Sequence, residues 1–381
     1  MKKHLKAIAA SVSALCLAAS FCTSLTASAA LGFWPKTVMT KSSDMWNSYR
    51  NTTIHLDYCT SKDDYQDYLY TPGRDIRAVS VSSAPGHGVA INYNDVLGAY
   101  TGSYDFWQAS QCGLYNVEKA YDYFANLGYN CGGIYVAIND CATYVPNGNG
   151  GYREISYAEN NTVFFGMGSS NQNAHGAVRF LGSATDIATH ELGRIVAERQ
   201  LGLSGNSNIS TETAAVLNAY SDIFAELADE KNDWKIGASV FVENGTSGSY
   251  YSYRDIANPS NTHNPRNSNL TLYTSYSAWQ NAYNANPYND NLVIGGSTVL
   301  SHAAYIMSQM NYFQNHKDQL AKIWLVSLTK YNTSNPANIT MYDCREAVLS
   351  AAADVLSQTG DPYYMSTVML VNMALSSTGI Y

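Results

Sequence analysis

The stretch that decides the fold reads TDIATHELGRIVAE and spans residues 185–198. Its apolar residues recur at helical spacing, an acidic residue stands near its start and Gly202 follows its end, so it predicts one helix. His190 and Arg194 are four residues apart and project from one face of that helix. The stretch therefore presents a histidine and an arginine side by side, with Glu191 directly after the histidine.

The chain changes character at this stretch. Before it, over about 31–180, short runs of strand character alternate with turn signals, and one predicted helix covers 116–127. After it, apolar residues recur at helical spacing, except in a loop rich in Asn, Ser and Tyr over 244–291. The predicted C-terminal helices cover 186–200, 211–230, 297–310, 319–330, 344–357 and 364–376. The pattern predicts an α+β fold, with a β-rich N-terminal lobe over 30–184 and a helical C-terminal lobe over 185–381.

The N-terminus has the features of a secretory signal peptide over residues 1–29. Three lysines precede an apolar stretch, and Ala27 and Ala29 frame a small-x-small cleavage site. No later segment is long and apolar enough to span a bilayer. We therefore expect a secreted, extracellular protein without a transmembrane segment.

Composition excludes further classes. Charged residues make up 14% of the chain and the formal net charge is −8, whereas an average soluble protein has about 25% charged residues. A negative chain without a Lys/Arg cluster argues against nucleic-acid binding. The 31 tyrosines indicate a neutral, polar extracellular surface. Of the seven cysteines, two lie in the signal and five remain; Cys131 and Cys141 either close a short disulfide loop or are small buried side chains.

Several motifs occur in an order that resembles the thermolysin-like neutral zinc metallopeptidase family. The matching segments are AAVLNAYSDIF at 214–224, DWKIG at 233–237, RDIANP at 254–259, AAYIMSQ at 303–309 and, upstream, NNTVFFG at 160–166. The resemblance covers about two-thirds of the chain. It implies a β-rich lobe and a helical lobe with the zinc-binding helix between them.

The resemblance also implies that the zinc site is incomplete. His190 stands at the first zinc-ligand position and Glu191 at the general-base position. Arg194 replaces the second His ligand, Asn218 replaces the Glu ligand, and Ile294 replaces the transition-state His. Catalytic zinc needs three protein ligands, and a protonated guanidinium has no lone pair to offer. We therefore expect a pseudoenzyme with a degenerate H-E-x-x-H motif and no zinc.

Three other positions of the implied site are kept. Asp222 is at the position that orients the first His ligand, and Arg254 is in the place of the arginine that binds the substrate carbonyl. Asn161 lies on the strand that corresponds to the substrate-binding edge strand. They are expected to line the cleft between the lobes.

The side chain of Arg194 has two alternatives. In the first, its guanidinium fills the metal cavity, pairs with Glu191 or Asp222 and contacts Asn218, because a buried charge needs such partners. In the second, it points to solvent and pairs with Glu198, four residues on.

A calcium site is implied only in part. Asp186, Asp229 and Asp233 stand at carboxylate positions of the family's double calcium site, but Lys235 and Ala238 stand where two glutamates are expected. Calcium takes six to eight oxygen ligands. We expect either one weak calcium or a replacement of the ion's charge by Lys235.

Three hypotheses about function remain. The first is a catalytically inactive homologue that binds a peptide or another extracellular polymer, such as a cell-wall polymer, in the cleft. The second is a divergent but active zinc metalloendopeptidase that hydrolyses extracellular proteins. The third is a cell-surface component in which the fold only displays loops.

Overall fold

The structure of the chain is a computed structural model. It describes residues 33–43, 51–61, 67–68, 70–71, 73–81, 91–96, 104–138, 155–166, 168–169, 176–178, 180–241, 251–265, 267–289 and 291–381. The predicted signal peptide, residues 1–29, lies outside the described residues.

Two sheets occupy the N-terminal part of the chain. Their strands are β1 (Phe33–Ser43), β2 (Asn51–Ser61), β3 (Asp67–Tyr68), β4 (Tyr70–Thr71), β5 (Ile76–Val81), β6 (Ile91–Val96), β7 (Ile134–Ile138), β8 (Ser156–Glu159) and β9 (Thr162–Phe165). The first three form an antiparallel sheet in the order β1-β2-β3. The others form a mixed sheet in the order β4-β5-β7-β9-β8, with β6 paired to β5. Strands β5, β7 and β9 are mutually parallel and rich in Val, Ile and Phe, as expected for buried strands.

Helices dominate the rest of the chain. They are α1 (Tyr104–Asn126), α2 (Thr185–Gln200), α3 (Thr211–Ala228), α4 (Tyr276–Ala285), α5 (Asn291–Ser308), α6 (Asn311–Asn315), α7 (Lys317–Ser327), α8 (Met341–Ser357) and α9 (Tyr364–Ser377). A two-stranded ribbon of β10 (Lys235–Ile236) and β11 (Arg254–Asp255) lies between α3 and α4. Short 3-10 turns cover Leu181–Ser183, Ala238–Val240, Pro259–Asn261 and Pro336–Asn338. The α+β prediction is confirmed, because nine of the described strands precede α2 and, apart from the short ribbon, the regular structure after α2 is helical.

One helix falls inside the predicted loop over 244–291. Helix α4 has the sequence YSAWQNAYNA, whose Asn, Ser and Tyr residues have modest helix propensity. Ser275 caps its start by accepting a hydrogen bond from the Ala278 backbone amide. Tyr276 and Trp279 are buried, and the Trp279 indole donates to the Leu292 carbonyl at 3.0 Å. Tertiary packing, which propensity does not report, therefore stabilises this helix.

The helices α2 and α3 lie against each other at the centre of the core. A Cβ atom on Gly193 would meet Phe224 and Ser221 on α3 at 3.4 Å, so only a very small side chain fits between these helices. The ring of Phe124 on α1 contacts the ring of Phe224 edge-on, with centroids 5.1 Å apart. The β-rich part and the helical part therefore share one continuous core, which holds α2 and α3 in place.

The hairpin of β8 and β9 closes one end of the mixed sheet. Asn160 and Asn161 connect the strands with positive φ angles of 47° and 65°, as a two-residue type I′ turn requires. Strand β9 is fully buried between β7 and β8, whereas β8 is only partly buried. Beyond β8, no further strand pairs with it among those the structure describes. The hairpin therefore leaves β8 as an edge strand, which packs against α2.

Within the described residues, none of the helices has both the length and the apolar character needed to cross a membrane. The structure has Cys131 as a buried free thiol, whose pKa burial raises to about 12. This favours the alternative in which Cys131 is a small buried side chain rather than half of a disulfide. Cys141 lies outside the described residues.

Candidate functional site

A cavity of about 230 Å³ lies between the edge strand β8, the ribbon β10–β11 and the helices α2, α3 and α5. Its lining residues are Ile155, Ser156, Ile187, His190, Glu191, Asn218, Ile236, Tyr253, Arg254 and Ile294. The structure thus brings together five of the residues singled out from the sequence. They are His190, Glu191, Asn218, Arg254 and Ile294.

A buried carboxylate holds two of the cavity residues. Asp222 on α3 has no exposed surface, and its Oδ1 lies 2.9 Å from His190 Nδ1 and 2.6 Å from Arg254 Nη2. Burial by itself raises the pKa of Asp222, but the Arg254 charge and the hydrogen bonds from both partners hold it below its ordinary value. The interaction fixes Nδ1 as the donating nitrogen of the His190 ring. Asp222 therefore orients His190, as its position in the motif predicted.

Glu191 has a different environment from Asp222. Its Oε1 accepts a hydrogen bond of 2.6 Å from Ser156 Oγ on β8, and its side chain is buried. Burial raises the pKa of Glu191, although His190, the Ser156 bond and two arginines oppose the rise. Glu191 is therefore a carboxyl group held between α2 and the edge strand, with less electrostatic stabilisation of its charge than Asp222 has.

Arg194 does not line the cavity. Its Nε donates to Glu198 Oε1 at 2.5 Å, one turn along the same helix, and about a fifth of each side chain is exposed. The hypothesis that its guanidinium fills the metal position is therefore wrong. The alternative, in which Arg194 pairs with Glu198 near the surface, is correct. The physical reason is that Arg254 already supplies the buried positive charge next to Asp222. Glu198, rather than Glu191 or Asp222, is therefore the carboxylate with which Arg194 pairs.

The two other replaced positions are occupied by groups that do not act as metal ligands here. The Asn218 amide donates to Ser297 Oγ at 2.9 Å. Ser297 Oγ in turn lies 2.8 Å from the Ile294 carbonyl and 3.3 Å from Asp222 Oδ2. Asn218 therefore belongs to a hydrogen-bonded chain that ends on Asp222, and Ile294 contributes an apolar surface to the cavity.

Asn161 lies away from the cavity. It is in the turn between β8 and β9, where its Oδ1 accepts a hydrogen bond of 2.9 Å from Arg199 Nε at the end of α2. The strand beside the cavity is β8, and Ser156 at its start lines the cavity instead. The prediction that Asn161 lines the cleft was therefore wrong. The motif at 160–166 was taken as the edge strand, but it forms the inner strand β9, and β8 is the edge strand. Sequence reasoning missed Ser156, which no motif marks.

The predicted calcium carboxylates separate into two groups. Asp229 and Asp233 lie together with Glu226, with ligand oxygens all within 4.8 Å of one another. Asp186 is not in this group: its oxygens accept bonds from the Gly237 and Ile187 amides, and burial raises its pKa to about 6.

The lysine at the expected calcium position has its own partner. The ammonium group of Lys235 lies 3.5 Å from Asp255 on the neighbouring strand β11. Sequence reasoning missed Glu226, although its spacing from Asp222 and Asp229 puts all three on one side of α3.

A comparison with protein families matches residues 206–368 to the model described as thermolysin metallopeptidase, alpha-helical domain. The chain carries a thermolysin-type helical domain. A search of curated proteins found no match. The matched range includes Asn218, Asp222, Arg254 and Ile294, and it begins after α2, on which His190 lies. The family resemblance deduced from the motifs is therefore confirmed.

The cavity of this thermolysin-type homologue does not fit a zinc ion. A zinc site needs three or more side-chain ligands around one point. Among the described residues, the group of His, Cys, Asp and Glu side chains that meets this condition is the one at Glu226, outside the cavity. At the cavity, His190 keeps one ring nitrogen for a ligand, whereas an amide and an isoleucine stand at two of the replaced positions.

Proposed function

We propose that this chain is a secreted, catalytically inactive thermolysin-type homologue that binds an extended peptide or another extracellular polymer in the cavity beside α2. The observation that carries the proposal is the combination of an intact cavity with a replaced ligand set. The cavity keeps Glu191, His190 and Arg254. The other two positions implied for zinc ligands hold Asn218 and Arg194, and Arg194 pairs with Glu198 instead of lining the cavity.

The loss of catalysis follows from the chemistry of the replaced groups. In this family's reaction, zinc lowers the pKa of a bound water and stabilises the charge of the transition state. One imidazole cannot hold the metal for that chemistry. Ile294 supplies neither a charge nor a hydrogen bond to a developing oxyanion, and such stabilisation is often the largest single catalytic contribution.

The edge strand supports binding of an extended ligand. Strand β8 borders the cavity through Ser156, and beyond it no other strand pairs with it among the described residues. An extended peptide can add to such an edge through main-chain hydrogen bonds, while a neighbouring pocket selects its side chains. Ile187, Ile236 and Ile294 make that pocket mainly apolar, and Arg254 adds one cation.

Secretion is supported by the N-terminal sequence. A charged start, an apolar stretch and a small-x-small site are the three parts of a signal peptide. The low proportion of charged residues, 14%, is in keeping with a neutral extracellular surface.

Binding is tested with fluorescein-labelled octapeptides of varied central residue and, in parallel, with soluble cell-wall glycan. Fluorescence anisotropy measures the dissociation constant for wild type and for Ile155→Asp. Ile155 lines the cavity at the start of the hairpin and is 38% exposed, so this change adds charge without disturbing the core. Tyr288→Asp is the control, because Tyr288 is 91% exposed and does not line the cavity.

We expect a ligand in one of the two panels whose affinity falls about tenfold in Ile155→Asp and stays unchanged in Tyr288→Asp, since a buried charge in an apolar contact costs at least 1.4 kcal/mol. If no ligand of either class binds, or if both variants bind like wild type, the binding proposal is wrong.

A second candidate function is residual peptidase activity, favoured by the buried Glu191 and its bond to Ser156. It is tested by casein hydrolysis with added Zn²⁺ and Ca²⁺, using Glu191→Gln as the control. Chelator-sensitive turnover above that control would establish that the chain is an active peptidase, and it would contradict the proposal that the chain is catalytically inactive.

A further inference from the structure

We propose that the outer face of helix α9 is the contact surface between two copies of this chain, which associate as a two-fold symmetric dimer. The outer face consists of five exposed side chains on α9 and at its N-cap: Tyr363, Met365, Met369, Leu370 and Met373. The proposal goes beyond ligand binding in the cavity and is independent of it, because no residue of α9 lines the cavity.

Exposed apolar side chains are concentrated in this part of the chain. Among the described residues, nine large apolar side chains are exposed, and six of them lie within residues 363–381. Five of these six form the outer face, and Tyr381 follows the helix. A single exposed apolar side chain is ordinary, whereas a contiguous group of them indicates an interaction site.

The spacing of the five residues makes the outer face continuous. Met365, Met369 and Met373 are four residues apart, so they form one ridge along the helix. Tyr363 and Leu370 are seven residues apart, which places them on one side of the helix, next to that ridge. The outer face is therefore one apolar surface rather than a set of scattered side chains.

The inner face of α9 holds the helix in place. Helix α9 packs against α5 and α8, and its buried side chains are Thr367, Val371, Ala374 and Leu375. The helix is thus apolar on both sides, and a helix that is apolar all round is normally buried. Because the inner face is anchored in the core, the outer face cannot turn inward and needs a cover from elsewhere.

The charge pattern favours a second copy as that cover. No side chain from residue 362 to residue 381 is charged at neutral pH, so the outer face does not repel an identical face. Beside it, Arg345 on α8 pairs with Glu346 and donates to the Asn372 side chain on α9 at 2.6 Å. The formal net charge of −8 opposes contact between two copies at a charged surface. An uncharged face with a polar rim is where two such chains can meet.

The methionine ridge fits a two-fold contact. In such a contact the same surface patch occurs on both sides. Ridges of residues four apart pack into the grooves of an identical helix, with the helices crossing at about −50°. Met369 is the middle one of the three methionines, so it lies next to its own copy at the two-fold axis. Methionine side chains fill irregular gaps, which helps two identical ridges to interdigitate.

The area of the outer face is sufficient for a reversible dimer. Its five side chains have exposed fractions between 39% and 74%. At roughly 200 Å² for a fully exposed side chain of this size, they offer about 600 Å² per copy and about 1,200 Å² for the pair. This area lies at the lower end of the range for specific complexes. We therefore expect a dissociation constant of about 1–100 µM.

A lipid surface is a poorer partner for this face. Helices that lie in a membrane interface have lysines and arginines on their polar side, which bind anionic headgroups. Helix α9 has neither residue type. A chain with a net charge of −8 is also repelled by an anionic membrane surface.

The dimer is tested by sedimentation velocity of the purified protein at about 1–200 µM. We expect wild type to change from monomer to dimer over this range. In Met369→Glu two carboxylates would meet at the axis, so the dissociation constant should rise at least tenfold, and Met369→Lys should have the same effect. An equimolar mixture of these two variants should restore the dimer, because opposite charges then meet. The control is Tyr288→Glu, which changes an exposed tyrosine outside the outer face and should leave the dimer unchanged.

Thermal unfolding separates loss of the contact from loss of the fold. Met369 is 65% exposed, so the Tm of Met369→Glu should stay within about 2 °C of wild type at a concentration at which both proteins are monomers. At high concentration the Tm of wild type should rise, because association stabilises the folded state, and the Tm of Met369→Glu should not.

Three results would overturn the proposal. The first is a wild type that remains monomeric at about 200 µM. The second is equal association of wild type and Met369→Glu, or a mixture of the two charged variants that stays monomeric. The third is binding of wild type to phosphatidylcholine vesicles that Met369→Glu lacks, since lipid would then be the cover of the outer face.

Discussion

Two carboxylates on helix α3, one turn apart, have opposite surroundings. Asp222 and Glu226 are both fully buried. Asp222 lies within 2.9 Å of His190 and 2.6 Å of Arg254, whereas Glu226 has no hydrogen-bond partner among the described residues. Burial acts to raise the pKa of both groups, and at Asp222 the two partners reverse that shift. The partner of a buried carboxylate, rather than its depth, thus decides its ionisation.

The same comparison extends to the two regions in which these carboxylates lie. At the cavity, the buried charge of Asp222 is paired with Arg254 within the chain. At the end of α3, three carboxylates converge without such an internal partner. The two regions therefore differ in whether the chain itself supplies the counter-charge of a buried carboxylate.

The largest change we predict is the recovery of zinc binding at the cavity. Arg194→His with Asn218→Glu restores two of the ligands expected from the resemblance next to His190. Even outer partners of zinc ligands change metal affinity by about 10–100-fold, so two restored ligands should raise it by about a thousandfold or more. Elemental analysis should find about one zinc per chain in the double variant and far less in wild type.

The two single variants are the controls for that experiment. Each leaves the site one ligand short, so each should bind zinc weakly. Stoichiometric zinc in wild type would contradict both the predicted loss of the site and the division between the two regions.

The next largest effect is expected from Asp222→Asn. The substitution keeps the shape of the side chain but leaves Arg254, which is 8% exposed, without its ion pair. Breaking a buried pair on one side costs about 3–5 kcal/mol. Urea unfolding at pH 7 measures the loss of unfolding free energy, and a loss below about 1 kcal/mol would show that Asp222 is not an essential partner.

A smaller effect of opposite sign is expected from Glu226→Gln in chelator. A carboxyl group whose pKa is raised in the folded state contributes stability below its unfolded pKa, and this stability is lost as pH rises through the folded pKa. Wild type should therefore lose stability relative to the variant as pH rises above about 4.5, the ordinary glutamate pKa, by roughly 1–3 kcal/mol. Urea unfolding at a series of pH values from about 4.5 upward tests the difference. A variant that is less stable than wild type at every pH in chelator would show that Glu226 is stabilised by a partner within the chain.

Much of the architecture follows from the sequence because it depends on periodic patterns. The change from strand to helical spacing near residue 185 predicted the α+β fold, and the family resemblance implied that His190 and Glu191 share one site. Helix α4 was missed because Tyr276 and Trp279 are held by distant parts of the chain. The role of Ser156 was missed because it depends on which strand of the hairpin is the edge strand. A short sequence motif does not show the order of strands in a sheet.

The partners of charged side chains were the least predictable part of the site. A helical sequence places Arg194 within reach of both Glu198 and the cavity, and the choice depends on whether another cation already occupies the buried position. Arg254, sixty residues further along the chain, provides that cation. The lack of a hydrogen-bond partner for the Glu226 oxygens among the described residues likewise arises only when α3 is packed and these oxygens are closed off from water.

The smallest predicted effect concerns Arg194 itself. Since Arg194 pairs with Glu198 near the surface, Arg194→Gln should lower the unfolding free energy by less than about 1 kcal/mol, the usual range for such pairs. High salt should weaken the wild-type pair and reduce the difference further, because screening acts on partly exposed charges. Urea unfolding of both proteins at low and high salt measures this. A loss of unfolding free energy of about 3 kcal/mol or more that persists in high salt is expected only of a buried charge. Such a result would support the hypothesis that the Arg194 guanidinium occupies the metal position.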